Sequence, residues 1–388
     1  MIRGNFRVYS KSSSWTIIRT QWSDVNRLLY YNPNIVTHER NHALPGVERF
    51  SKFFQIYNPT VVVLDRTNTI KVPVHTKSLF PIPSLRPIRK TFEDICNERA
   101  CELLARSDTQ KVPLYVMWSG GIDSTLVLIS LLKHATPEQK AKITVLLSEE
   151  SIRENPNFYA NHVNGTLAVD SSILFPYILG TKALFVSGEH NDQLFGSDIV
   201  AKVILRFDTS VIHKPYDRQM IFTFFNEKIV DEKTTNFYLD MFERLKDAAP
   251  VDIKTNYEYF WWINFSLKWQ SVYMRTLSYT GARNVPSITD EYLHTYYAPF
   301  YCTDDFQLWS MNNMDKKIKD EWRTYKWPCK DIIYEYTKDA DYRDNKLKKG
   351  SLFSLAVQQL SYNFIDESMG FHHEMDPHEY YNPDNDFA

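Results

Sequence analysis

The chain has 388 residues, a formal net charge of −2, and 43% hydrophobic and 24% charged residues. With a mean hydropathy of −0.40, it has an ordinary globular composition and the length for two domains with sizeable cores. Near-neutral charge excludes a global pull towards nucleic acid or an acidic membrane; no apolar run is long enough to span a bilayer or to form a signal-peptide core, so no membrane contact and a cytoplasmic location are expected.

Residues 1–80 read as a small β-containing N-terminal domain, because Phe6 to Arg19 and Thr60 to Val74 are rich in β-branched and aromatic residues. Residues 81–90, Pro-Ile-Pro-Ser-Leu-Arg-Pro-Ile-Arg-Lys, are proline-dense and predict an extended linker or strap. A main domain is expected over 91–365. Within it, residues 91–134 predict helix, strand, loop and helix. Lys142 to Ser148 predicts a second strand, Asp170 to Leu179 a helix, and 183–187 another strand. From about 216 to 337 the pattern is mostly helical, and the aromatic run Tyr257 to Trp262 is read as packing between helices rather than as a base-stacking platform. Residues 366–388 form an acidic C-terminal tail, whose His372, His373 and His378 are read as exposed tail residues and not as metal ligands. Cys96, Cys101, Cys302 and Cys329 have the spacing of neither a zinc knuckle nor a redox pair, which leaves reduced thiols. The alternation points to an α/β fold with a parallel sheet and a large helical half.

The densest chemistry lies at 115–125, Tyr-Val-Met-Trp-Ser-Gly-Gly-Ile-Asp-Ser-Thr. An apolar strand ends at Ser119-Gly120-Gly121 and an apolar helix follows at once. Two glycines let the backbone approach a ligand, and the helix start brings N–H groups and the positive dipole end to one concavity suited to a phosphate chain. Ser119, Ser124 and Thr125 add hydroxyl groups. Asp123 beside phosphates is repulsive unless a cation lies between them, which argues for Mg²⁺. The loop lacks the glycine spacing and terminal Lys-Ser/Thr of a Walker loop.

This Ser-Gly-Gly-x-Asp-Ser/Thr form resembles the pyrophosphate (PP) loop of the ATP pyrophosphatases, which are adenine nucleotide alpha hydrolase-like, Rossmann-like proteins. A second block, Ser187-Gly-Glu-His-Asn-Asp-Gln-Leu-Phe-Gly-Ser197, resembles the Ser-Gly-Glu-x-x-Asp-Glu-Leu-Phe-Gly-Gly segment of the asparagine synthetase and β-lactam synthetase family. The resemblance implies ATP and Mg²⁺. Met117, Ser119, Gly120, Gly121, Asp123, Ser124, Thr125, Ser187 and Gly188 would line the ATP and pyrophosphate site, Asp123 and Asp192 would hold the metal, and Glu189 would orient the substrate or take a proton from an amine. Gln193 and Ser197 depart from the family's Glu and second Gly. Ala298 to Asp305 is similar to the family's Pro-Phe-Leu-Asp stretch in the helical half. Tyr342 to Ser351 resembles its late basic loop, which implies a lysine on the α-phosphate, Lys346 in first place with Lys348 as its rival.

Family members that use glutamine begin with a cysteine nucleophile after the initiator Met; Ile2 stands here, so residues 1–80 are expected to be an inactive or reduced amidotransferase counterpart. The function implied is an AMP-forming amide ligase acting on a small-molecule carboxylate and an amine, either of them possibly nucleotide-linked. The alternatives are adenylation of a nucleobase or nucleotide carbonyl, and a non-catalytic nucleotide-binding scaffold. Asn155, Asn157, Tyr159 and His190 are candidate substrate-lining residues, although a plain loop role is the preferred reading of the Asn and Tyr residues. Net charge does not indicate nucleic acid, and neither oligomeric state nor substrate is legible.

Overall fold

The computed structural model describes residues 45–46, 48–50, 64–72, 78–277, 279–281, 283–284, 287–347 and the short pairs 363–364 and 371–372. One five-stranded, all-parallel sheet organises the chain. Its strands are β1 (Leu114–Met117), β2 (Ile143–Leu147), β3 (Ala168–Ser171), β4 (Leu184–Ser187) and β5 (Tyr297–Pro299), in the order β3-β2-β1-β4-β5. Parallel pairing demands crossovers, and the helices that provide them cover the sheet faces. The strands therefore need no strict alternation: all four residues of β4 are buried. The chain runs outwards from β1 to β3, then returns to start β4 on the other side of β1. This reversal opens a crevice beyond the carboxyl ends of β1 and β4, where α/β sheets bind ligands.

Helix α1 (Phe92–Gln110) starts in a capping box between Thr91 and Asp94 and packs on α2 (Ile122–His134), which follows β1. A short helix α3 (Glu149–Glu154) follows β2. After β4 come α4 (Asn191–Phe195), α5 (Ser197–Phe207), α6 (Arg218–Ile229), α7 (Glu232–Asp247), α8 (Asn256–Leu267) and α9 (Trp269–Leu277). Helix α10 (Asp304–Asn312) follows β5, and α11 (Trp327–Thr337) and α12 (Ala340–Asn345) close the region. Of the residues of α8 only Glu258 is not buried, the pattern of a helix apolar all round, with Trp261, Trp262 and Tyr259 wholly inside. The aromatic run is core packing.

Arg66 ties the chain before α1 to this core. Its guanidinium is buried, donates to the carbonyls of Phe80 (2.6 Å), Phe265 (3.1 Å) and Pro81 (3.4 Å) and to the Gln307 carboxamide, and stacks over Trp269. Burial lowers its pKa to about 9. Residues 81–90 run without helix or strand, held where Asn312 donates to the Arg86 carbonyl (2.9 Å) and Lys90 pairs with Asp305 (2.8 Å). All four thiols are free.

Three expectations need correction. The segment Asp170 to Leu179 begins as strand: Ala168–Ser171 is the exposed edge strand β3, and only short helical turns follow at Ser172–Leu174 and Phe175–Ile178. The stretch starting at Ala298 is not wholly part of the helical half, since Tyr297–Pro299 pairs with β4 as a fifth strand. The strand expected over Thr60 to Val74 is absent from its described residues 64–72, which are turn and coil, the Asp65 carboxylate accepting from the N–H groups of Thr67 (2.8 Å), Thr69 (2.7 Å) and Ile70 (2.7 Å); Phe6 to Arg19, the tail histidines His373 and His378, and Lys348 lie outside the described residues.

Candidate active site at the switch point of the sheet

The two sequence blocks meet at the reversal of the sheet. Gly120 has φ +72°, and an added Cβ would lie 2.3 Å from the Ser151 carbonyl oxygen, so the loop turns tightly against α3. Gly188, just past β4, is fixed by proximity: a Cβ there would lie 2.9 Å from the Ser124 backbone nitrogen and 3.1 Å from Asp123 carbonyl carbon. The end of β4 thus lies directly on the start of α2. That helix begins at Gly121, where no side chain caps it.

The hydroxyls divide between crevice and core. Ser119 and Ser124 Oγ lie 3.0 Å apart, and Ser124 Oγ accepts from the Ser119 N–H at 3.0 Å. Thr125 is buried and accepts from Trp118 Nε1 at 3.0 Å, which turns it towards the core. Met117 packs, partly buried, at the end of β1. Ser187 Oγ is buried at the end of β4 without a hydrogen-bond partner, a group left available to a ligand beside the loop.

Asp123, in the first turn of α2, and Asp192, in α4, converge on one cation: the Lys326 ammonium. Its Nζ lies 2.6 and 2.7 Å from the two Asp123 oxygens and 2.6 Å from Asp192 Oδ1. The Lys326 side chain has no exposure, whereas Asp123 and Asp192 retain 18% and 27%. Lys326 precedes α11 with φ +61°, a left-handed conformation that costs a side-chain residue free energy and that its contacts must hold. Asn191 Nδ2 donates to Asp123 at 2.6 Å and approaches Cys329 Sγ at 3.6 Å. Burial pushes the Cys329 thiol up to about 12, against the opposing pull of Lys326 and Asn191. Tyr301 completes the support by donating its hydroxyl to the Asp123 carbonyl at 3.0 Å.

Two carboxylates already set around one positive charge, both reaching solvent, fit a hard divalent cation. Among the described residues no group of three or more His, Cys, Asp or Glu could hold a metal ion. A two-carboxylate site suits Mg²⁺, which keeps water and phosphate oxygens as its other ligands.

Glu189 lies one residue past Gly188 and accepts from Arg275 Nη2 of α9 through both oxygens, at 2.9 and 2.8 Å. His190 has φ +78° and is buried, with Nε2 3.1 Å from the Trp269 carbonyl; burial lowers its pKa to about 3. Gln193 is also buried. Lys346 is not at the carboxylate pair: its ammonium bonds the Glu154 carboxylate behind the glycine loop, and Lys330 Nζ holds its carbonyl at 2.5 Å. Burial lowers the pKa of Lys330 to about 8. Asn155 caps a turn by accepting from the Phe158 N–H (3.2 Å), Asn157 donates to Asp339 (3.0 Å), and Tyr159 stacks on Trp118.

Sequence reasoning found both acids and both glycine contacts but missed Lys326, Asn191, Arg275 and Tyr301. Asn191 and Tyr301 lie inside blocks already singled out, at 187–197 and 298–305, and Lys326 stands just before a helix that opens with Trp327-Pro328; Arg275 has no local signal. Compared with protein-family models, with curated proteins and with solved structures, the chain matches none.

Proposed function

We propose that the protein is an ATP-dependent, AMP-forming ligase of the PP-loop, asparagine synthetase-like kind, its described domain an ATP-pyrophosphatase fold, working without glutamine hydrolysis. The observation that carries this reading is the convergence of Asp123 and Asp192 on one cation beside the Ser119–Gly121 loop, at the reversal of a parallel sheet. On the same reading residues 1–80 are a reduced, inactive amidotransferase counterpart.

In this reading the glycine loop and the start of α2 receive the phosphate chain. A substrate carboxylate oxygen forms a bond to the α-phosphorus while the bond to the β-bridging oxygen breaks, and pyrophosphate leaves with that electron pair. Lys326, buried and fixed in direction, is the cation that faces the charge developing on the phosphates. Asp123 and Asp192 are the residues that would hold Mg²⁺, which would supply charge neutralisation to the leaving pyrophosphate. Glu189 takes one proton from the ammonium of the second substrate. The freed nitrogen lone pair attacks the acyl carbon, the bond to AMP breaks with its electrons going to AMP, and the adduct releases its second proton to water.

The test is product analysis after incubation of the protein with ATP, Mg²⁺ and a metabolite extract. Pyrophosphate and AMP in equal amounts, abolished by Asp123→Asn, are expected. Stoichiometric ADP would overturn the reading.

A further inference from the structure

We infer that Lys317 is a positioning residue for the cation site: its amine ties the helix that carries Asp192, its carbonyl ties Lys326, and the spacing of Asp192 from Lys326 is set through it. The inference rests on the metal part of the ligase reading and deepens it by naming what presets that site.

Lys316, Lys317 and Lys319 lie close together in sequence, and of the three only Lys317 is buried, with no exposed surface. Taking a lysine out of water costs free energy that its contacts must offset. Its Nζ donates to the Leu194 carbonyl and to Ser310 Oγ, both at 2.6 Å, and lies 4.1 Å from the centre of the Trp261 ring. Burial draws its pKa well below the ordinary lysine range. In either charge state the amine keeps the two N–H donors that these contacts use, so the anchor does not depend on titration.

Each contact leads to the site. Leu194 belongs to α4, the five-residue helix that carries Asn191 and Asp192, and a helix so short has little stability of its own. The Leu194 carbonyl gathers donors from three places: Lys317, Ser310 of α10 (2.7 Å) and Trp261 of α8 (3.1 Å). Of these residues only Lys317 also reaches Lys326. Its carbonyl accepts the Lys326 N–H at 3.0 Å, which closes residues 317–326 into a loop whose two ends meet. Inside that loop the Thr324 hydroxyl accepts from the Lys319 N–H at 2.9 Å, and Trp322 stacks on Tyr325 with ring centres 4.3 Å apart. The Lys326 ammonium then reaches Asp192 Oδ1 at 2.6 Å. The contacts thus form a closed circuit, from Lys317 to α4, from Asp192 to Lys326, and back to Lys317. A tie serving stability alone closes no such circuit; Trp262 Nε1, which joins α8 to the Leu245 carbonyl of α7 at 2.7 Å, is one of that kind.

The test uses the full chain as wild type, Lys317→Met, Ser310→Ala and, as a control that removes a buried donor remote from the acids, Trp262→Phe. Mn²⁺ binding at the site lost in Asp123→Asn is measured by electron paramagnetic resonance at a temperature where each variant is folded. Amide exchange is followed by mass spectrometry without metal. Lys317→Met should weaken Mn²⁺ about tenfold, the low end of what outer partners of metal ligands contribute, and should speed exchange both in 191–196 and in 324–328. Trp262→Phe should keep the Mn²⁺ dissociation constant within about twofold while lowering the melting temperature. If Lys317→Met does not fold, Ser310→Ala takes its place and should weaken Mn²⁺ by more than Trp262→Phe does. An unchanged Mn²⁺ constant, or exchange that quickens in only one of the two segments, refutes the inference and leaves the ligase reading standing. If the wild type binds no Mn²⁺ there, the ligase reading falls, and the exchange result still decides whether Lys317 joins α4 to Lys326.

Discussion

Replacing Lys326 by Met keeps an unbranched side chain, shorter by the terminal nitrogen, and removes one charge from between two acids. The ammonium makes contacts of 2.6, 2.7 and 2.6 Å with Asp123 and Asp192. Breaking a buried ion pair by removing one partner costs about 3–5 kcal/mol; the carboxylates are 18% and 27% exposed, so water recovers part of this and the lower end applies, about 3 kcal/mol. For a chain of this size the loss corresponds to roughly 4 °C in Tm. Mg²⁺ should then act in opposite proportion to the ammonium. In the wild type the two acids are already neutralised in part, and Mg²⁺ alone should raise Tm little. In Lys326→Met the same acids face each other bare. At tenfold the dissociation constant, Mg²⁺ should return about 1.4 kcal/mol by mass action. Differential scanning fluorimetry with and without Mg²⁺, on wild type, Lys326→Met and Lys326→Met/Asp123→Asn, reads all three expectations. A single variant as stable as the wild type, or one whose Mg²⁺ response matches that of the wild type, would refute the reasoning.

Gly188→Ala should cost about 1–3 kcal/mol in urea unfolding, because its Cβ meets only backbone of Asp123 and Ser124 at 2.9–3.1 Å and α2 would have to move off β4; a change under about 0.5 kcal/mol would contradict that close approach. His190 has its pKa lowered by burial from 6.5 to about 3, so the unfolded chain binds more protons between those values. Its contribution is full above pH 6.5 and is lost as the pH falls towards 3, at up to about 1.4 kcal/mol per unit. Between pH 7 and 5 the loss of Tm should shrink in His190→Asn, and equal slopes in the two proteins would refute this. Lys346 and Glu154 are 10% and 12% exposed, and a double-mutant cycle with Lys346→Met and Glu154→Gln should give a coupling of about 1–2 kcal/mol, an additive result excluding a stabilising pair.

Much of the sheet was legible because β1, β2 and β4 are buried apolar runs followed by a turn or a helix start, a signal contained in each segment. The edge strands were not. Ala168-Val-Asp-Ser171 is exposed along its length, so nothing in it reports a core face, and its pairing with β2 is decided by backbone hydrogen bonds alone. Tyr297–Pro299 is three residues long and ends in proline, which is tolerated because β5 borders the sheet on one side only. The site divided in the same way. Asp123 and Asp192 belong to short blocks whose chemistry is complete within a few residues. Arg275 and Lys326 reach those blocks from 86 and 134 or more positions away, and no period or local spacing encodes the meeting. Lys326 is the less readable of the two because a left-handed residue at a helix start suggests Gly or Asn; the lysine is retained against that preference by the contacts of its ammonium.

On the proposed reading, those contacts also set the charge that an incoming nucleotide would meet. Asp123 and Asp192 carry −2 and Lys326 +1, so the resting pair is net −1 at the mouth of a loop suited to phosphate. A divalent cation on the same acids turns this to +1. Two unit charges about 8 Å apart interact by about 2 kcal/mol at an effective dielectric near 20, so the sign of this small sum decides whether a polyanion is repelled or drawn in. The lysine cannot replace the metal, because one ammonium leaves the acids in excess. Nor can the metal replace the lysine, whose ammonium can donate hydrogen bonds to phosphate oxygens that a hydrated cation does not reach. Acids alone would bind a cation and repel its nucleotide complex once the cation was shared. On the proposed reading, acids and lysine together would leave the resting crevice at net −1 and make it attractive to phosphate only once a divalent cation is bound.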